Sequence, residues 1–593
     1  MTGTPSTPLT GTEAVTREIV ANALASIADE MATTIFRTAH STVVRDAMDF
    51  SAALLGRSGE TVAQAVSVPL HLGSIPTAME SLLDRYGGEI GPGDVFIMND
   101  PFDGGMHLQD IFIAKPIHHQ GELLGFGVAT AHHADVGGRV PGSAACDNTE
   151  IFQEGLRLPW VRLYRGGEPV QDMFKLIAGN VRVPRMTLGD IAAQVAACTV
   201  ADRLLGELAE RYGHDQLEEM MLELVDHTER LVRGGIAAWP DGKASFRDYI
   251  DSDGIDVRDV AIEVEVEISG DELTVDFSRS APMVAGALNS TPAFVAAAAY
   301  QAVQCALALE VPSTSGAFRP INVVTKPGTV THVTMPGASS MRGVTGLRAF
   351  DAVNGALAQL LPDRVPAAGE GGNTVAVFGG TQDDGSRFIY LELVCGTWGG
   401  NPERDGNDGL THPSAAASNI PIEAAEMEYP IFIERYGFVQ DSGGAGRHRG
   451  GVAIERAWRP LVEEMSLVVR SDRQRNLPWG LRGGQPGRPS RNTIRRRDGS
   501  EEALPPMFTT TLREGECYHH EMAGGGGWGD PLERPAAAVA TDVLDEKVSR
   551  DAAFASYGVV LAGDGGVDEQ GTADRRAELL RTRLGARGDG SHG

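Results

Sequence analysis

The sequence predicts an α+β protein, because helical and strand periodicities occupy separate stretches of the chain. From Glu13 to Ser41 the apolar residues recur at helical spacing, and similar patterns run from Leu188 to Tyr212 and from Asp215 to Arg233. Near residue 245 the period changes. Apolar residues then alternate with acidic or small residues from Val260 to Ile268, which is typical of a half-buried strand. We therefore expect long helices beside mixed sheets.

A β-hairpin is predicted at this change of period. Ser269-Gly270-Asp271 separates the alternating stretch from a second one at residues 273–277. The polar face of the first strand carries three glutamates, Glu263, Glu265 and Glu267. A metal cluster is one interpretation of them. Evenly spaced glutamates on one strand face are more often a solvated surface, which is the interpretation we favour.

Further elements and the chain length predict several lobes. Helical patterns reappear at Pro292–Leu309 and Leu347–Leu361, followed by an apolar strand at Phe388–Val394. A chain of 593 residues is too long for one compact core. The expected division is a disordered leader at 1–12, a metal-site lobe at 13–245, a central α+β lobe at 246–430, a Gly-rich C-terminal β lobe at 431–535 and a C-terminal tail at 536–593.

Composition excludes several classes of protein. A formal net charge of −29 argues against nucleic acid or an anionic membrane as a partner. Five scattered cysteines without a Cys-x-x-Cys pair indicate neither a zinc ribbon nor a disulfide framework and fit reduced thiols in the cytoplasm. We expect no signal peptide and no apolar run of the ~18 residues that span a bilayer.

Histidines and carboxylates cluster between Asp49 and Asp135 at spacings that suit one metal ion. The core is His107-Leu108-Gln109-Asp110, followed by His132-His133-Ala134-Asp135. Imidazole and carboxylate together favour Zn, Mn or Fe in the +2 state. Satisfied core histidines and a turn-capping aspartate are an equally good explanation of the spacing alone.

Strand geometry constrains this cluster. The apolar runs at 111–113 and 126–130 have strand length, which places Asp110 and His132 at strand ends or edges. Because successive side chains of a strand point to opposite faces, His132 and His133 cannot both face one ion without a bulge.

Several motifs in register resemble the hydantoinase B/5-oxoprolinase family, which also includes the acetone carboxylase alpha subunit and the lactam-binding subunit of caprolactamase. They cover roughly residues 13 to 562 and are Asp49-Phe50-Ser51, Asn99-Asp100-Pro101-Phe102, Gly105-Met106-His107-Leu108-Gln109-Asp110, His132-His133-Ala134-Asp135-Val136-Gly137-Gly138, Val275-Asp276-Phe277-Ser278, Asn289-Ser290-Thr291, Phe318-Arg319-Pro320-Ile321, Pro421-Ile422-Glu423, the stretch 441–451, the stretch 524–531 and Tyr557-Gly558-Val559-Val560. The resemblance implies a large hydantoinase B-like fold of several lobes.

The same resemblance implies a ligand set for one divalent ion. The matching positions are Asp49, His107, Asp110 and His132. Gln109 stands where many relatives have proline, which puts the local backbone in doubt but leaves both neighbouring ligands intact. His133 and Asp135 are then the nearest candidates for orienting the ligands or acting as a general base.

No nucleotide-binding motif accompanies the predicted metal site. The chain has no Gly-x-x-x-x-Gly-Lys-Ser/Thr and no Gly-x-Ser-x-Gly. Since the family couples its reaction to ATP, the resemblance implies a separate actin-like A subunit that binds ATP. The function implied is the B subunit of an ATP-dependent cyclic amide hydrolase. A subunit of an acetone or acetophenone carboxylase and a non-catalytic scaffold subunit are the alternatives.

Glycine-rich loops could shape a site or simply be tight turns. Residues 524–529 satisfy the letters of Gly-x-Gly-x-x-Gly, but Asp530-Pro531 follows, so a dinucleotide fold is rejected. The stretch 441–451 places Arg447, His448 and Arg449 between glycines, which suits an anion cradle in principle. Without a helix start it is better explained as a structural turn.

Overall fold

The computed structural model describes residues 11–65, 68–370 and 373–588, and these contain both long helices and sheets. The α-helices are α1 (Gly11–Thr38), α2 (Thr42–Arg45), α3 (Pro69–Leu72), α4 (Ile75–Tyr86), α5 (Gln171–Asn180), α6 (Pro184–Tyr212), α7 (His214–Ala237), α8 (Pro292–Leu307), α9 (Gly343–Leu360), α10 (Ile422–Glu428), α11 (Ala536–Leu544), α12 (Arg550–Ser556) and α13 (Glu569–Gly588). Short 3-10 helices lie at Ile151–Gln153, Ser315–Ala317 and Pro531–Glu533.

The strands of the described residues form four sheets. In chain order they are β1 (Phe50–Gly56), β2 (Thr61–Gln64), β3 (Val95–Met98), β4 (Asp110–His119), β5 (Glu122–His132), β6 (Val161–Arg165), β7 (Glu168–Pro169), β8 (Gly242–Ile250), β9 (Val260–Ser269), β10 (Glu272–Asp276), β11 (Ile321–Val324), β12 (Thr374–Thr381), β13 (Arg387–Val394), β14 (Ile431–Phe438), β15 (Ile454–Pro460), β16 (Glu464–Arg470), β17 (Arg491–Arg495), β18 (Glu501–Leu504), β19 (Met507–Arg513) and β20 (Cys517–Glu521). The sheet orders are β2-β1-β5-β4-β3-β6-β7, β11-β10-β9-β8, β13-β12-β16-β19 and β14-β15-β20-β17-β18.

The predicted elements agree closely with these bounds, and the α+β class is confirmed. Strands β9 and β10 pair as the expected antiparallel hairpin. Helix α8 ends at Leu307, two residues early, because Ala308 adopts a left-handed conformation with φ of 51°. Helix α9 begins at Gly343, four residues early. Its first turn contains two glycines, which are weak helix formers, so the sequence pattern there is faint.

The seven-stranded sheet owes its central strands to nearly continuous apolar sequence. Strands β1, β4 and β5 are buried along almost their full length, because α6 covers one face of the β4–β5 pair. Gly127 permits this contact, since a Cβ there would lie 2.9 Å from the Ala201 side chain of α6. The sheet is therefore rigidly backed at the strands that carry the predicted metal ligands.

Helix α1 packs as a core helix. Its buried stripe is Val20, Leu24, Ile27, Met31 and Ile35, and it lies against α6 and β1. By length and composition alone, the segment Val15–Thr38 would also suit a membrane span, with a mean hydropathy of 1.2. One third of the apolar window of this helix is buried, and Val15, Ile19 and Phe36 are exposed. Helices with one apolar face in the core of a protein also reach such a hydropathy.

The buried apolar residues form clusters that each draw on distant parts of the chain. One cluster of buried residues contains both Val20 and Met507 and extends across the boundary at 245. A second cluster, with Phe378, Trp458 and Tyr518, joins the two sheets of the C-terminal half. The division into lobes stays a prediction. Of the predicted leader, residues 1–10 lie outside the described residues, and Gly11 and Thr12 already belong to α1.

Four glycine-rich loops pack backbone against backbone, and we call them the glycine layer: residues 398–400, 443–451, 480–487 and 524–527. Gly525 N donates to the Gly451 carbonyl at 3.0 Å, and Gly444 N donates to the Gly525 carbonyl at 2.8 Å. A Cβ on Gly450 would lie 1.9 Å from the Gly525 carbonyl oxygen. Loops this close leave no room for a side chain at the contact positions. The glycine run near residue 524 is therefore required for packing.

Candidate metal centre

Three predicted ligands lie at the same end of three adjacent strands. In the antiparallel register Asp110, the first residue of β4, is directly opposite His132, the last residue of β5. Asp49 immediately precedes β1, and its carbonyl accepts a hydrogen bond from His132 N at 3.0 Å. Because directly opposed side chains of paired strands share a face, this register alone brings the carboxylate of Asp110 to the imidazole of His132.

His107 completes the predicted set through a turn. Asp110 N donates to the His107 carbonyl at 3.2 Å, and this turn brings His107 Nδ1 to 2.9 Å from Asp110 Oδ2. His132 Nδ1 lies 3.3 Å from Asp110 Oδ1 and 4.0 Å from Asp49 Oδ2. The ligand atoms of His107, Asp110 and His132 are all within 4.8 Å of one another. The structure thus brings all four predicted ligands together.

His71, on the one-turn helix α3, faces the same space and was not predicted. Its Nε2 lies 3.5 Å from Asp49 Oδ1 and 4.0 Å from Asp110 Oδ1. Its Nδ1 lies 3.2 Å from the hydroxyl of Ser51, the serine of the Asp-Phe-Ser motif. A lone histidine in Pro69-Leu70-His71-Leu72 carries no sequence signal, so only the three-dimensional arrangement identifies it.

Arg342 is a second residue that sequence patterns missed. Its guanidinium donates a short hydrogen bond to Asp110 Oδ2 and stacks over the ring of Phe294, 4.1 Å from the centroid. It belongs to the loop that leads into α9. This loop is held from behind by Glu154, which accepts hydrogen bonds from the backbone N–H groups of Ser339 and Ser340, each at 2.8 Å.

Electrostatics keeps His107 and His71 neutral and Asp110 ionised. Burial, reinforced by Arg342, lowers the pKa of His107 to about 3, and burial also lowers the pKa of His71. Burial alone would raise the pKa of Asp110, but His107 and Arg342 lower it well below its usual value. Neutral imidazole and ionised carboxylate are the forms that bind a metal ion.

The donor set fits a divalent transition ion. Imidazole nitrogens and carboxylate oxygens converge from separate strands, and this mixture suits Zn, Mn or Fe better than Mg or Ca. Asp110 and His107 are essentially inaccessible to solvent, whereas the side chains of Asp49 and His132 are each 13% exposed. An ion held here would therefore be reached from the side of Asp49 and His132.

The cluster opens into a largely apolar cavity. The empty space in and around the cavity, part of which is open to solvent, is about 690 Å³. The walls opposite the ligands come from α8, α9 and the sheet β13-β12-β16-β19, with apolar residues Phe294, Leu347, Val375, Leu391 and Leu393. Two arginines, Arg342 and Arg470, also face it. Such a cavity, apolar with a few convergent polar groups, is typical of a site for a small molecule.

His133 and Asp135, the predicted orienting or general-base residues, are directed away from the cavity. His133 Nε2 lies 3.1 Å from Gln194 Oε1 on α6, on the opposite face of the sheet from His132, as the strand alternation predicted. Asp135 accepts hydrogen bonds from Arg182 and from the backbone N–H groups of Gly137 and Gly142. Both side chains are fully buried in the supports of the loop that follows β5.

Gln109, the departure from the family pattern, supports the same loop. The Gln109 side-chain Nε2 donates to the Ser143 carbonyl at 3.0 Å, and the backbone carbonyl of Gln109 accepts a hydrogen bond from His133 N at 2.8 Å. Asn99 of the Asn-Asp-Pro motif donates to the Leu108 carbonyl at 2.7 Å. These contacts fix the backbone on both sides of His107 and Asp110. The turn is therefore intact with glutamine at position 109, where many relatives have proline.

Two other sequence hypotheses have different outcomes. Glu263 is buried rather than solvated, because Arg247 and Arg279 both pair with it, so the predicted solvated face was wrong at this position. Glu267 is exposed as expected.

In the stretch 441–451, Arg449 is buried against Asp408 at 3.1 Å. That stretch is part of the glycine layer, in agreement with the structural interpretation.

The chain belongs to the hydantoinase B/oxoprolinase family. The family model for Hydantoinase B/oxoprolinase matches residues 13–531, which confirms the resemblance carried by the motifs.

Relatives extend this match to nearly the whole chain. The beta subunit of caprolactamase from Pseudomonas jessenii is 34% identical over 576 residues, covering 95% of this chain and 99% of the relative. The B subunit of a putative D-/L-hydantoinase from a Pseudomonas species (strain NS671) is 30% identical over 588 residues, covering 96% and 99%. The chain spans 41% of the length of 5-oxoprolinase 1 of Arabidopsis thaliana, at 28% identity and with 85% of this chain covered.

Two solved structures share the fold. The ATP-dependent caprolactamase of Pseudomonas jessenii superposes with a TM-score of 0.89 at 32% identity, covering 96% of this chain and 100% of the other. A nucleotide-free acetone carboxylase superposes with a TM-score of 0.90, covering 97% and 84%, but is only 20% identical. The second likeness therefore concerns the fold alone.

Proposed function

We propose that this chain is the metal-containing B subunit of an ATP-dependent hydrolase that opens a cyclic amide such as a hydantoin, 5-oxoproline or a lactam. The observation that carries this proposal is the cluster of His107, Asp110 and His132, with Asp49 beside it, which lines a largely apolar cavity. It lies in a chain that is 34% identical to one of the subunits of a caprolactamase over nearly its full length. An apolar cavity accommodates the methylene groups of a ring.

The chemistry assigned to this site follows from the resistance of an amide. Its C–N bond has partial double-bond character, so the carbonyl carbon is a poor electrophile. Asp49, His107, Asp110 and His132 would hold one divalent ion, which would supply a Lewis acid to activate water or polarise the substrate. Arg342 fixes Asp110 through its hydrogen bond, which orients that carboxylate in the cluster.

His71 is the residue we assign to handle a proton beside the ligands. Its Nε2 faces Asp49 and Asp110, and Ser51 orients its ring through Nδ1. For His133 and Asp135 we propose orientation of the loop after β5, since His133 Nε2 contacts Gln194 and Asp135 accepts from Arg182, both away from the cavity. Of the two roles that the sequence suggested for them, this is the one their contacts support.

The proposal includes a second subunit. The sequence has no P-loop, whereas the caprolactamase relative is described as ATP-dependent and two relatives are named as single subunits. We propose that ATP is bound by an actin-like A subunit, which phosphorylates the amide oxygen. This chain would then receive the activated amide and open it with water, which yields the ring-opened carboxylic acid (an amino acid from a lactam, an N-carbamoyl amino acid from a hydantoin) and phosphate.

A reconstituted complex tests this function. The chain is co-purified with its actin-like partner and supplied with ATP, a divalent ion and either hydantoin, 5-oxoproline or caprolactam. We expect ring opening of one of these amides, coupled to ATP hydrolysis and indifferent to bicarbonate. The isolated chain should neither open the ring nor hydrolyse ATP. A complex that carries His107→Ala is the control that separates the metal cluster from the ATP site.

The carboxylase alternative is tested in parallel. Acetone or acetophenone is offered with ATP and labelled bicarbonate to the same complex. Incorporation of label into an acid-stable product, without ring opening of any amide, would replace the hydrolase proposal by a ketone carboxylase. The scaffold alternative is separated by metal content, because a non-catalytic subunit has no need of an open coordination position.

A further inference from the structure

Two arginines form a positively charged wall in the cavity, next to the metal centre. Arg342 lies in the loop before α9 and Arg470 is the last residue of β16. Both face the cavity, and both are at least nine-tenths buried. Buried guanidinium groups are costly unless an anion or several acceptors satisfy them.

Arg342 has unused donor capacity. One nitrogen of its guanidinium is engaged by Asp110, but its Nε has no hydrogen-bond partner among the described residues. Arg342 is also the N-cap residue of the 18-residue helix α9, and it makes no side-chain cap hydrogen bond. The partial positive charge of that helix end therefore adds to the guanidinium charge at the cavity wall.

Arg470 lies directly beside this helix end. A Cβ on Gly343, the residue after Arg342, would be 2.3 Å from Arg470 Nη1, so the guanidinium rests on the backbone of Gly343. Its Nη2 donates to the Asn373 carbonyl at 2.6 Å. Burial and the nearby Arg342 charge lower the pKa of Arg470 to about 10, which still leaves it charged at neutral pH.

Charge balance favours an anionic ligand here. Asp49 and Asp110 would offset the two charges of a divalent ion, which leaves the charges of Arg342 and Arg470. Glu370 is close enough to Arg470 to offset one of them. Glu154 contributes little, because burial raises its pKa to about 8 and it is mostly protonated at neutral pH. The charges of the ion, Asp49, Asp110, Arg342, Arg470 and Glu370 sum to one positive charge, which favours an anionic ligand.

We propose that Arg342, Arg470 and the N-terminus of α9 bind the phosphoryl group of the activated amide while its ring lies in the apolar part of the cavity. This inference rests on the proposed function for the origin of the phosphoryl group. Paired guanidinium groups match the oxygens of a phosphoryl group, and a helix N-terminus favours the same charge. The wall would then select the phosphorylated amide over the neutral one.

The test uses the full chain, loaded with Mn²⁺, and inorganic phosphate as the probe. Calorimetry gives the Kd of phosphate, and the ³¹P linewidth reports whether the phosphate lies beside the ion. We expect saturable binding with broadening of the ³¹P signal, and an increase in Kd of about tenfold or more in Arg470→Gln. Arg470→Lys keeps the positive charge but loses the paired N–H donors of the guanidinium. Its phosphate Kd should therefore lie between those of the unaltered chain and Arg470→Gln.

Controls identify the source of the signal. Arg475→Gln removes one positive charge from an exposed side chain that pairs with Asp259, and it should leave the phosphate Kd unchanged. Metal content is measured for every variant, and Arg470→Gln should keep it. Should Arg470→Gln fail to fold, the lysine variant and the linewidth measured on the unaltered chain still decide the question.

Three results would overturn the proposal. The first is phosphate binding that is equally strong in Arg470→Gln, which would place the anion on the ion alone. The second is an unbroadened ³¹P signal in the Mn²⁺-loaded chain. The third is acetate binding as tight as phosphate and equally sensitive to Arg470→Gln, which would indicate a substrate carboxylate.

None of these measurements depends on amide hydrolysis, so failure of the proposed function is recognised separately. If the chain holds no metal, calorimetry on the metal-free chain still tests the arginine wall.

Discussion

The metal centre and the glycine layer solve opposite packing problems. At the metal centre, polar side chains from β1, β4 and β5 are buried together, and each is held by a defined partner such as Ser51 or Arg342. In the glycine layer, four loops approach so closely that a Cβ on Gly524 would lie 1.8 Å from the Ser442 carbonyl oxygen. The first region depends on the chemistry of its side chains and the second on their absence.

This contrast separates function from architecture in the chain. The glycine layer bonds to the segment that leads to the cavity, since Gly526 N donates to the Ala368 carbonyl at 2.8 Å. Asn373 and the apolar strand β12 follow that segment. Substitutions in the layer should therefore act on folding as a whole, whereas substitutions at the metal centre should act on metal content or activity.

The largest effect is expected in the glycine layer. Gly450→Ala places a methyl group 1.9 Å from a backbone oxygen that cannot move aside, and should cost about 3 kcal/mol or more, with little folded protein recovered. Gly437→Ala in β14 is the matched control, because nothing lies within 4 Å of its added Cβ. Thermal unfolding of both variants checks this. Equal Tm values for the two would refute the packing account.

An intermediate effect is expected at the two contrasted histidines. His71→Asn should lower the rate of ring opening by about a hundredfold or more, since it removes a group placed to move a proton, while the metal content stays near one per chain. His133→Asn should lower the rate less, because its ring contacts Gln194 behind the sheet. The kcat of the reconstituted complex is the readout. A reversed ranking would restore His133 as the general-base candidate.

The smallest effect at neutral pH is expected at a buried histidine away from the metal centre, because its influence on stability develops only below pH 6.5. Burial lowers the pKa of His520 in β20 to about 3. Below pH 6.5 the unfolded chain therefore binds a proton that the folded chain does not, and stability falls by about 1.4 kcal/mol per pH unit for this group. His520→Asn should make the pH dependence of denaturation shallower between pH 6.5 and 4.

Tyr518→Phe is the control for this pH effect. It removes the 2.9 Å hydrogen bond that the Tyr518 hydroxyl donates to Asn492 Oδ1, the atom that His520 Nδ1 contacts at 2.7 Å, but it removes no group that titrates in this range. It should lower stability equally at all pH values. An unchanged slope in His520→Asn would show that the buried imidazole is protonated with little cost.

The four proposed ligands were identified from sequence through the family motifs, and the strand register then brings these same residues together. Asp110 begins one apolar strand and His132 ends the strand paired with it, and the two residues are directly opposite. His107 lies three residues before Asp110 in the His-x-x-Asp motif. The rest of the site comes from distant segments. Arg342 is 232 residues from its partner Asp110. No short-range period can report a contact across such a separation, so Arg342, Arg470 and His71 could not be predicted.

The fold shows the same limit. Helices and strands with strong periodicity, such as α6, α7 and β9, lie where the sequence placed them. The glycine layer has no period and no regular secondary structure. Its loops were located by composition, but their mutual packing is set by hydrogen bonds among the segments near residues 398, 444, 484 and 526. Such contacts become visible only when the segments are assembled.

Elemental analysis of the purified chain tests the central claim most directly. We expect close to one divalent transition ion per chain, and loss of most of it in His107→Ala and Asp110→Asn, because each removes one of four ligands from a buried cluster. His118→Ala, in the same strand as Asp110 but outside the cluster, should retain the ion. Full occupancy in both ligand variants, or a metal-free native chain that still opens a cyclic amide with its partner, would contradict the account.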